Sequence, residues 1–412
     1  MEPETAQTSQ PDQPFAKQAE ALPTIRKSIF WISLPFGILG FVLPIYGKEI
    51  GAGALQIGLF FSVFFFMTVV LRPLVGSWLD RFGRRTFFIA GLAGYTLSMT
   101  AFAFSAQTWT ILLARALQGV ASSCMWLAAQ AITADVADET ERGRSFGGLA
   151  QSSNQGAILG TFIGFSVLIP LGMHAGWRTL FIGFAAAALL ATVFAWRRLK
   201  ETRPAVHQTE IRPIRWTRNW NLLLLVTLVT GAAVAMLEPV MMIFLQERFT
   251  QEVSILALAF LPAGLVWALL PSRLGRLADR FGRKPLMVLG MAVAAMTSFL
   301  IPGLGSLVLL AGLWALQALC YAAGDPAEQA LVADLTGGDQ RGRAYGYYAM
   351  AAGIGATFGP LVGGWLYQSV GVSAPFFANG LVLGVCTLVL AIFLQEPARK
   401  ALQGKAAVET GQ

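Results

Sequence analysis

The chain has 412 residues, of which 55% are hydrophobic and only 13% are charged. Its mean hydropathy is +0.61, whereas a soluble protein of this length needs far more charge on its surface, so the composition excludes a soluble globular fold. The formal net charge of +8 could indicate a nucleic-acid partner, but the positions of the basic residues favour another explanation.

Apolar segments of about 20 residues recur along the chain, and each is long enough to cross a bilayer as a helix. They predict an all-α integral membrane protein with twelve transmembrane helices, because lipid offers backbone polar groups no hydrogen-bond partner. The predicted helices are centred roughly on residues 38, 67, 96, 120, 159, 186, 233, 264, 296, 320, 356 and 384.

The basic residues indicate how the chain crosses the membrane. If the N-terminus is cytoplasmic, all but five of the 30 Lys and Arg residues fall on the tails and on cytoplasmic loops. This bias predicts that both termini are cytoplasmic, in a multi-pass protein of the plasma (inner) membrane. We therefore attribute the basic charge to topology and expect no nucleic-acid partner. The five exceptions are Lys48, Arg178 and Arg248 in outer loops, and Arg72 and Arg115 inside helices.

The chain also repeats itself. A shift of 199 residues aligns residues 72–164 with the second half without a gap, and GSWLDRFGRRT at 76–86 then falls on GRLADRFGRKP at 275–285. The repeat predicts two pseudo-symmetric six-helix bundles in parallel orientation, related by an axis along the membrane normal. Other matched pairs are Gln130 with Gln329, Asp135 with Asp334, and Gly156, Gly160 and Gly164 with Gly355, Gly359 and Gly363.

The repeat and the polar segments together predict the domain boundaries. The segment between the halves is polar and basic, as a cytoplasmic linker should be. The predicted parts are a cytoplasmic tail (1–27), an N-terminal bundle (28–196), the linker (197–219), a C-terminal bundle (220–395) and a second cytoplasmic tail (396–412).

The doubled loop carries a resemblance to a known family. G-x-x-x-D-R-x-G-R-[RK] follows predicted helices 2 and 8 and resembles the signature loop of the major facilitator superfamily. The segment from Arg115 to Gly119 (RALQG) resembles a second motif of that superfamily. The resemblance covers about residues 28–396 and is strongest to the twelve-helix drug:proton antiporter-like members. It implies a transporter, not an enzyme, that works by alternating access. The antiporter pattern G-x-x-x-G-P-x-x-G-G is absent from predicted helix 5 and occurs instead at residues 355–364.

The resemblance also implies a role for the doubled loop as a cytoplasmic latch. The carboxylate of Asp80 would contact the start of predicted helix 11, and that of Asp279 would contact the start of predicted helix 5. A helix N-terminus favours a negative charge. Arg84 and Arg283 would pair with Asp135 and Asp334. Alternatively, these charges only mark an interface and set the topology. The proposed latch residues are Gly76, Asp80, Arg81, Gly83, Arg84, Asp135, Gly275, Asp279, Arg280, Gly282, Arg283 and Asp334.

Ionisable residues inside a membrane are costly, and each is a functional hypothesis. Glu238 lies in the outer half of helix 7, before Pro239, and is a candidate for proton coupling or substrate contact; the alternative is a buried structural hydrogen bond. Asp325 and Glu328 share one face of helix 10. The sequence GDPAE at 324–328 resembles a helix break with its own capping box, so Asp325 is either a cap or part of an ion or substrate site.

Two arginines complete the intramembrane set. The family associates the motif arginine, here Arg115, with proton transfer in antiporters, while the alternative is a hub of interhelical hydrogen bonds. Arg72 precedes Pro73, and we predict a structural role for it.

A mixture of polar and aromatic side chains is predicted to line a cavity suited to an amphipathic or aromatic solute. For any single aromatic residue, packing is the simpler explanation. The cavity-lining candidates are Trp126, Gln130, Gln151, Asn154, Gln155, Trp267, Trp314 and Tyr321.

Three functions remain open at this point. The sequence has no G-x-x-x-x-G-K-[ST] motif, so we expect no ATP site, and we expect no cofactor or metal. The first hypothesis is a proton-coupled exporter of amphipathic small molecules, with protons, a small-molecule substrate and the lipid bilayer as partners and a monomer as the functional unit. The second is an uptake or facilitative carrier for a metabolite or lipid-like solute, and the third is a receptor on the same fold that transports nothing.

Overall fold

The computed structural model of the protein describes residues 20–136, 142–202, 216–270, 282–335 and 341–395. Within these ranges the chain forms fourteen α-helices, a single 3-10 turn and no strand. The helices are α1 (Ala21–Ile32), α2 (Leu34–Phe41), α3 (Leu43–Glu49), α4 (Ala54–Phe82), α5 (Arg84–Ala103), α6 (Thr108–Val136), α7 (Arg142–Leu171), α8 (Met173–Arg198), α9 (Arg218–Arg248), α10 (Val253–Leu269), α11 (Arg283–Leu300), α12 (Leu307–Leu335), α13 (Arg341–Ser369) and α14 (Ala374–Phe393).

Ten of these helices are long and apolar enough to span a bilayer, and the count rises to eleven if the bent pair Ala21–Phe41 and Leu43–Glu49 forms one span. The pair is bent by 55°, and Pro44 stands in the first turn of α3, where a proline starts a new helix but cannot continue the previous one. Helix α10 is apolar but only 17 residues long. An all-helical membrane protein is confirmed, whereas twelve spans and cytoplasmic termini stay predictions.

The helix boundaries follow the same 199-residue repeat as the sequence. Helix α6 begins at Thr108 and ends at Val136, and α12 begins and ends 199 residues later, at Leu307 and Leu335. Helices α4 and α10 likewise begin 199 residues apart, at Ala54 and Val253. The two halves therefore share one order of helices, although few of their apolar residues match.

The described residues form two compact units. Unit 1 draws on Met1–Leu39, Val70–Ser105 and Ala116–His207, and unit 2 on Gly40–Val69, Ala106–Arg115 and Gln208–Gln412. Unit 2 thus includes parts of α2, α4 and α6 that precede the predicted linker. The domain boundaries read from the sequence remain a prediction.

Unit 1 is built around buried aromatic rings. The ring centroids of Trp177 and Phe181 on α8 are 4.4 Å apart, and Phe102 on α5 lies 5.1 Å from Phe181. The indole Nε1 of Trp177 donates a hydrogen bond of 2.9 Å to the backbone oxygen of Phe102. An indole N–H that is fully buried needs such an acceptor, so this contact fixes α8 against the end of α5.

Unit 2 has its main core between α9, α11, α12 and α14, which share one apolar cluster. Trp220 and Leu223 of α9, Leu331 of α12 and Leu390 of α14 are all fully buried there. A second cluster around Ala233 and Leu383 joins α9, α11 and α14. Asn379 of α14 donates to the backbone oxygen of Ala233, so a polar side chain inside this core is satisfied by the neighbouring helix.

The repeated glycines explain how the first and fifth helices of each half approach each other. A Cβ on Gly156 or Gly160 of α7 would overlap the backbone oxygen of Phe30 or Leu34. In unit 2, a Cβ on Gly355, Gly359 or Gly363 of α13 would likewise overlap carbonyl oxygens of α9, those of Leu228, Ala232 and Met236. Small residues four apart let two helices pack backbone to backbone in a membrane. The interpretation of these glycines as packing positions is confirmed.

This packing predicts that adding one methyl group is destabilising in both units. Gly160→Ala and Gly359→Ala should each lower the free energy of unfolding by about 1–3 kcal/mol, because the new Cβ must displace a facing helix backbone. The thermal unfolding midpoint of the purified protein in detergent measures the effect.

Gly183→Ala and Gly384→Ala are the matched controls, since no described atom lies within 4 Å of a Cβ at either position. Equal midpoints for all four variants would contradict the assignment.

Candidate transport site

Arg115 is a buried cation among the described residues of unit 2. It lies on α6 with 5% of its surface exposed. Its guanidinium carbon is 4.9 Å from the ring centroid of Phe61 and 5.3 Å from that of Phe64, and both rings belong to one face of α4. Aromatic faces attract a cation, and more strongly where water is excluded, so the two rings stabilise this charge inside the membrane region.

Glu238 is the matching anion of the same unit. It lies on α9 next to Pro239, which is buried, whereas the side chain of Glu238 is accessible. The surrounding protein nevertheless removes much of its hydration, and the charge of Arg115 acts on it electrostatically. Unit 2 therefore brings together two of the predicted ionisable residues with opposite charge.

Helix α12 corrects one prediction. Residues 324–328 were expected to break the helix, but α12 continues through them from Leu307 to Leu335. A proline removes a single backbone hydrogen bond, and neighbouring helices can support a membrane helix across that gap. The break and its capping box are therefore wrong. The side chain of Asp325 lies outside the described residues.

Glu328 is held by the neighbouring helix. The hydroxyl of Thr227 on α9 donates to Glu328 Oε1 at 3.1 Å, and Thr227 itself is buried. This contact joins α9 and α12 within unit 2 and gives Glu328 the interhelical hydrogen bond expected of a polar group between membrane helices. Arg72 lies half-buried within α4, next to Pro73, as a continuous part of that helix.

Unit 1 contains an open cavity of about 370 Å³ between α6 and α7. Three of the predicted lining residues share it, namely Trp126, Gln130 and Asn154. Leu149, Ala150 and Ser153 complete the described wall, and the Ser153 hydroxyl is 3.0 Å from that of Ser33. One indole, two amides and an apolar wall suit a solute with both apolar and hydrogen-bonding parts.

The remaining lining candidates lie elsewhere. Gln151 and Gln155 are exposed on α7, but neither belongs to the wall of this cavity. In unit 2, Trp314 is buried in a stack on Phe260 with the centroids 4.4 Å apart, which is a packing role. Tyr321 packs against the cluster around Ala233 and Leu383. The side chain of Trp267 lies outside the described residues.

The first copy of the doubled loop is held by contacts within unit 1. Gly83 has a φ of 94°, a conformation that favours glycine, and α5 begins after it. Glu201 accepts hydrogen bonds from the backbone N–H groups of Arg84 (2.9 Å) and Arg85 (3.1 Å). Arg84 Nε lies 2.5 Å from Asp135 Oδ2 at the end of α6. Arg81 lies with its guanidinium carbon 5.3 Å from the ring of Phe82.

The second copy is described only from Gly282 onward. Gly282 has a φ of 92°, so the glycine turn before the helix recurs in the second half. Gly275, Asp279 and Arg280 lie outside the described residues, as do the side chains of Asp80 and Asp334. Among the described residues, no atom lies within 4 Å of a Cβ placed on Gly76.

Sequence reasoning missed the residue that follows each loop arginine. Arg85 donates to the backbone oxygens of Trp196 (2.7 Å) and Leu199 (2.6 Å) at the end of α8. Lys284, its equivalent in the repeat, donates to the backbone oxygen of Leu394 at the end of α14 (2.7 Å). A cation is stabilising at a helix C-terminus, where carbonyl groups lack partners. The signal available in the sequence was that Arg85 and Lys284, which are 199 residues apart, are both basic.

Glu201 gives a direct test of the loop geometry. Glu201→Gln should lower the free energy of unfolding by about 1 kcal/mol, because a neutral amide interacts more weakly than a carboxylate with the N-terminus of α5. The thermal midpoint in detergent measures this loss, and added salt should shrink it.

Glu252→Gln is the control, because Glu252 precedes α10 without a side-chain capping bond. An equal loss in both variants would show that the contacts of Glu201 contribute nothing specific.

Comparisons with known proteins agree with this architecture. Residues 28–274 and 223–411 match the family model described as the Major Facilitator Superfamily. The Multidrug resistance protein 1 of Bacillus subtilis is 23% identical over 93% of this chain and 98% of its own length. The Quinolone resistance protein NorA of Staphylococcus aureus is 23% identical over 91% and 96%. The Synaptic vesicular amine transporter of Mus musculus is 27% identical over 87% of this chain and 69% of its own length.

Two solved structures share the fold. A bacterial homologue of the human lysosomal transporter Spinster, in an inward-facing and occupied conformation, superposes with a TM-score of 0.74 at 15% identity, over 92% of this chain and 96% of that one. The nucleoside transporter NupG superposes with a TM-score of 0.71 at 12% identity, over 91% and 99%. The family match covers most of the chain, so the protein belongs to the Major Facilitator Superfamily and is a multi-pass membrane transporter.

Proposed function

We propose that this transporter works by alternating access and exports amphipathic small molecules in exchange for protons. It would act as a monomer in the plasma membrane, with both termini in the cytoplasm. The observation that carries the proposal is the pair of opposite charges in unit 2, the accessible Glu238 and the buried Arg115. Relatives named for multidrug and quinolone resistance support the export of drug-like molecules.

The proton-coupling step follows from the chemistry of that pair. A carboxylate in a poorly hydrated site is costly unless a cation or a proton balances its charge. Arg115, held by Phe61 and Phe64, supplies a fixed positive charge that does not depend on conditions. Glu238 can then exchange a proton for a cationic or polar solute as the site opens to one face and then the other. Asp325 and Glu328 on α12 are further candidates for this role.

The cavity in unit 1 supports the assignment of the substrate class. Trp126 offers an aromatic face, and Gln130 and Asn154 offer amide donors and acceptors. A planar or amphipathic solute can use both kinds of contact. The doubled loop would act as the cytoplasmic latch, in which Arg84 and Asp135 hold the loop in shape while its remaining charges make and break contacts in each cycle.

The thermodynamics of one-for-one exchange predict the result of a transport assay. In proteoliposomes that are acidic inside, one proton leaving per monovalent cation entering permits about tenfold accumulation for each pH unit. A gradient of about two units should thus let the wild-type protein concentrate tetraphenylphosphonium by up to about 100-fold. Glu238→Gln should reduce this ratio to about one while leaving facilitated equilibration measurable.

Glu252→Gln is the matched control, since Glu252 is an exposed acid at the start of α10. Accumulation by Glu238→Gln equal to that of the control would overturn the coupling role. Saturable flux that ignores the pH gradient in the wild-type protein would overturn proton exchange itself.

Binding in the cavity can be tested by ligand-induced stabilisation. A solute that binds the folded protein raises its thermal midpoint by mass action. Asn154→Ala should weaken binding of an amphipathic solute by about fivefold, the effect of losing one hydrogen bond.

Gln155→Ala is the control, because Gln155 is exposed on the same helix outside the cavity wall. Equal affinities for the two variants would show that this cavity is not the binding site.

A second candidate function is an uptake or facilitative carrier for a metabolite or lipid-like solute. The amide-rich wall favours it, because Gln130 and Asn154 suit a solute with several hydrogen-bonding groups. The same assays separate the two functions. Stabilisation by metabolites alone, with flux that runs only down the solute gradient, supports the carrier.

A further inference from the structure

Thr227 of α9 uses its hydroxyl in an unusual way for a threonine inside a helix. Thr68 and Thr133 each donate to the backbone oxygen four residues earlier in their own helix, and Thr230 donates to the one three residues earlier. Thr227 instead donates to Glu328 Oε1 on α12 at 3.1 Å. A hydroxyl donated to a carboxylate favours the charged form of that carboxylate and fixes its direction.

Glu328 lies near the end of unit 2 at which α11 begins. It stands seven residues, about 10 Å, before the end of α12. This end of α12 lies beside the start of α11, since a Cβ on Gly324 would be 3.3 Å from the backbone oxygen of Leu286. Thr227 is only 3% exposed, whereas the side chain of Glu328 is half-buried. A buried donor thus holds a carboxylate that is itself partly accessible.

Thr227 and Glu238 lie on the same side of α9. Eleven residues separate them, which is about three full turns or about 16 Å along the helix. Trp220 near the start of α9 shares a core with Leu331 near the end of α12, so these two helix ends lie together. Glu328 is therefore closer than Glu238 to the end at which α11 begins. A proton that leaves Glu238 toward that end must pass the level of Glu328.

The helices packed against α12 place few charges at this level. Helix α10 has no ionisable residue in its sequence, and Lys284 of α11 is bonded to the backbone oxygen of Leu394. Arg218 is the first residue of α9, about 13 Å along the helix from Thr227. Within α9, Thr227 therefore supplies a hydrogen bond to Glu328 without a nearby charge on the same helix. The other ionisable groups of this region are Arg283 on α11, Tyr348 on α13, and Tyr321 and Asp325 on α12.

We propose that Thr227 is a positioning residue for proton exchange, which holds Glu328 as a relay between Glu238 and the end of unit 2 at which α11 begins. The inference rests on the proposed function and deepens it. One proton leaves the carboxyl group of Glu238, binds the carboxylate of Glu328 and is then released to water, so the exchange remains one proton for one solute. The two carboxylates are too far apart for direct transfer, and water in the opened site carries the proton between them.

A relay determines how fast the exchange runs but not how far it goes. The final accumulation ratio depends on the number of protons exchanged per solute, so a slower relay leaves that ratio unchanged. Homoexchange, in which labelled solute enters while unlabelled solute leaves at equal pH, moves no net proton and does not need Glu328 to change its charge. A residue that only packs α9 against α12 would affect homoexchange and proton-driven uptake alike.

Thr227→Val removes the hydroxyl while nearly keeping the shape of the side chain. In proteoliposomes that are acidic inside, this variant should take up tetraphenylphosphonium about fivefold more slowly than the wild-type protein, the effect of losing one hydrogen bond. Its final accumulation ratio should match that of the wild-type protein, and its homoexchange rate should stay within about twofold. Thr227→Ser restores the hydroxyl and should recover most of the proton-driven rate.

Thr230→Val is the matched control, because Thr230 lies one turn further along α9 and donates to its own helix. It should take up tetraphenylphosphonium at the wild-type rate. Equal proton-driven rates for Thr227→Val and Thr230→Val overturn the inference. Homoexchange that slows as much as proton-driven uptake in Thr227→Val also overturns it, because Thr227 then acts only through packing or folding.

Glu328→Gln tests whether Thr227 acts through this carboxylate. The single variant should slow proton-driven uptake at least as much as Thr227→Val, and adding Thr227→Val to it should cause no further loss. A further fivefold loss in the double variant overturns the relay. Normal proton-driven uptake in Thr227→Val beside an active wild-type protein overturns the relay alone, whereas a wild-type protein that shows homoexchange but ignores the pH gradient overturns both proton exchange and the relay.

Discussion

Lipid provides no hydrogen-bond partner for a peptide group, and this constraint underlies the architecture of the protein. Helices satisfy their own interior amides and carbonyls, but each helix end leaves several groups unpaired. In the structure, side chains from elsewhere in the fold bind several of these helix ends. Glu201 binds the N-terminus of α5, Gln368 binds that of α4, and Arg85 and Lys284 bind the C-termini of α8 and α14.

The binding of helix ends by side chains also explains what the first copy of the doubled loop does within unit 1. Its glycine turns the chain into the next helix, its arginine meets the end of α6, and the following basic residue holds the end of α8. The loop therefore connects α5, α6 and α8 of unit 1 and holds them together. A transporter that moves rigid groups of helices needs such joints, because motion between groups is useful only if each group keeps its own shape.

Several of the described charges inside the membrane region lie beside a neighbour that balances them. Arg115 lies between two phenylalanine rings in the same unit as Glu238, and Glu328 accepts a hydrogen bond from Thr227. Protonation of a carboxylate, a bound solute or a shift of one helix can change each of these contacts. Weak, replaceable partners of this kind suit a protein that must be stable in more than one conformation.

The sequence by itself determined the membrane class, the internal repeat and the packing role of the repeated glycines, because these features follow from local composition and from spacing along the chain. Only the tertiary structure decided which polar groups meet. Glu201 lies 117 residues from Arg84, and Lys48 lies 199 residues from Glu247. The continuous helix through residues 324–328 was likewise missed, because a local capping pattern cannot show that neighbouring helices support a proline. Contacts between distant helix ends depend on how the helices pack, and side-chain identity alone does not specify that packing.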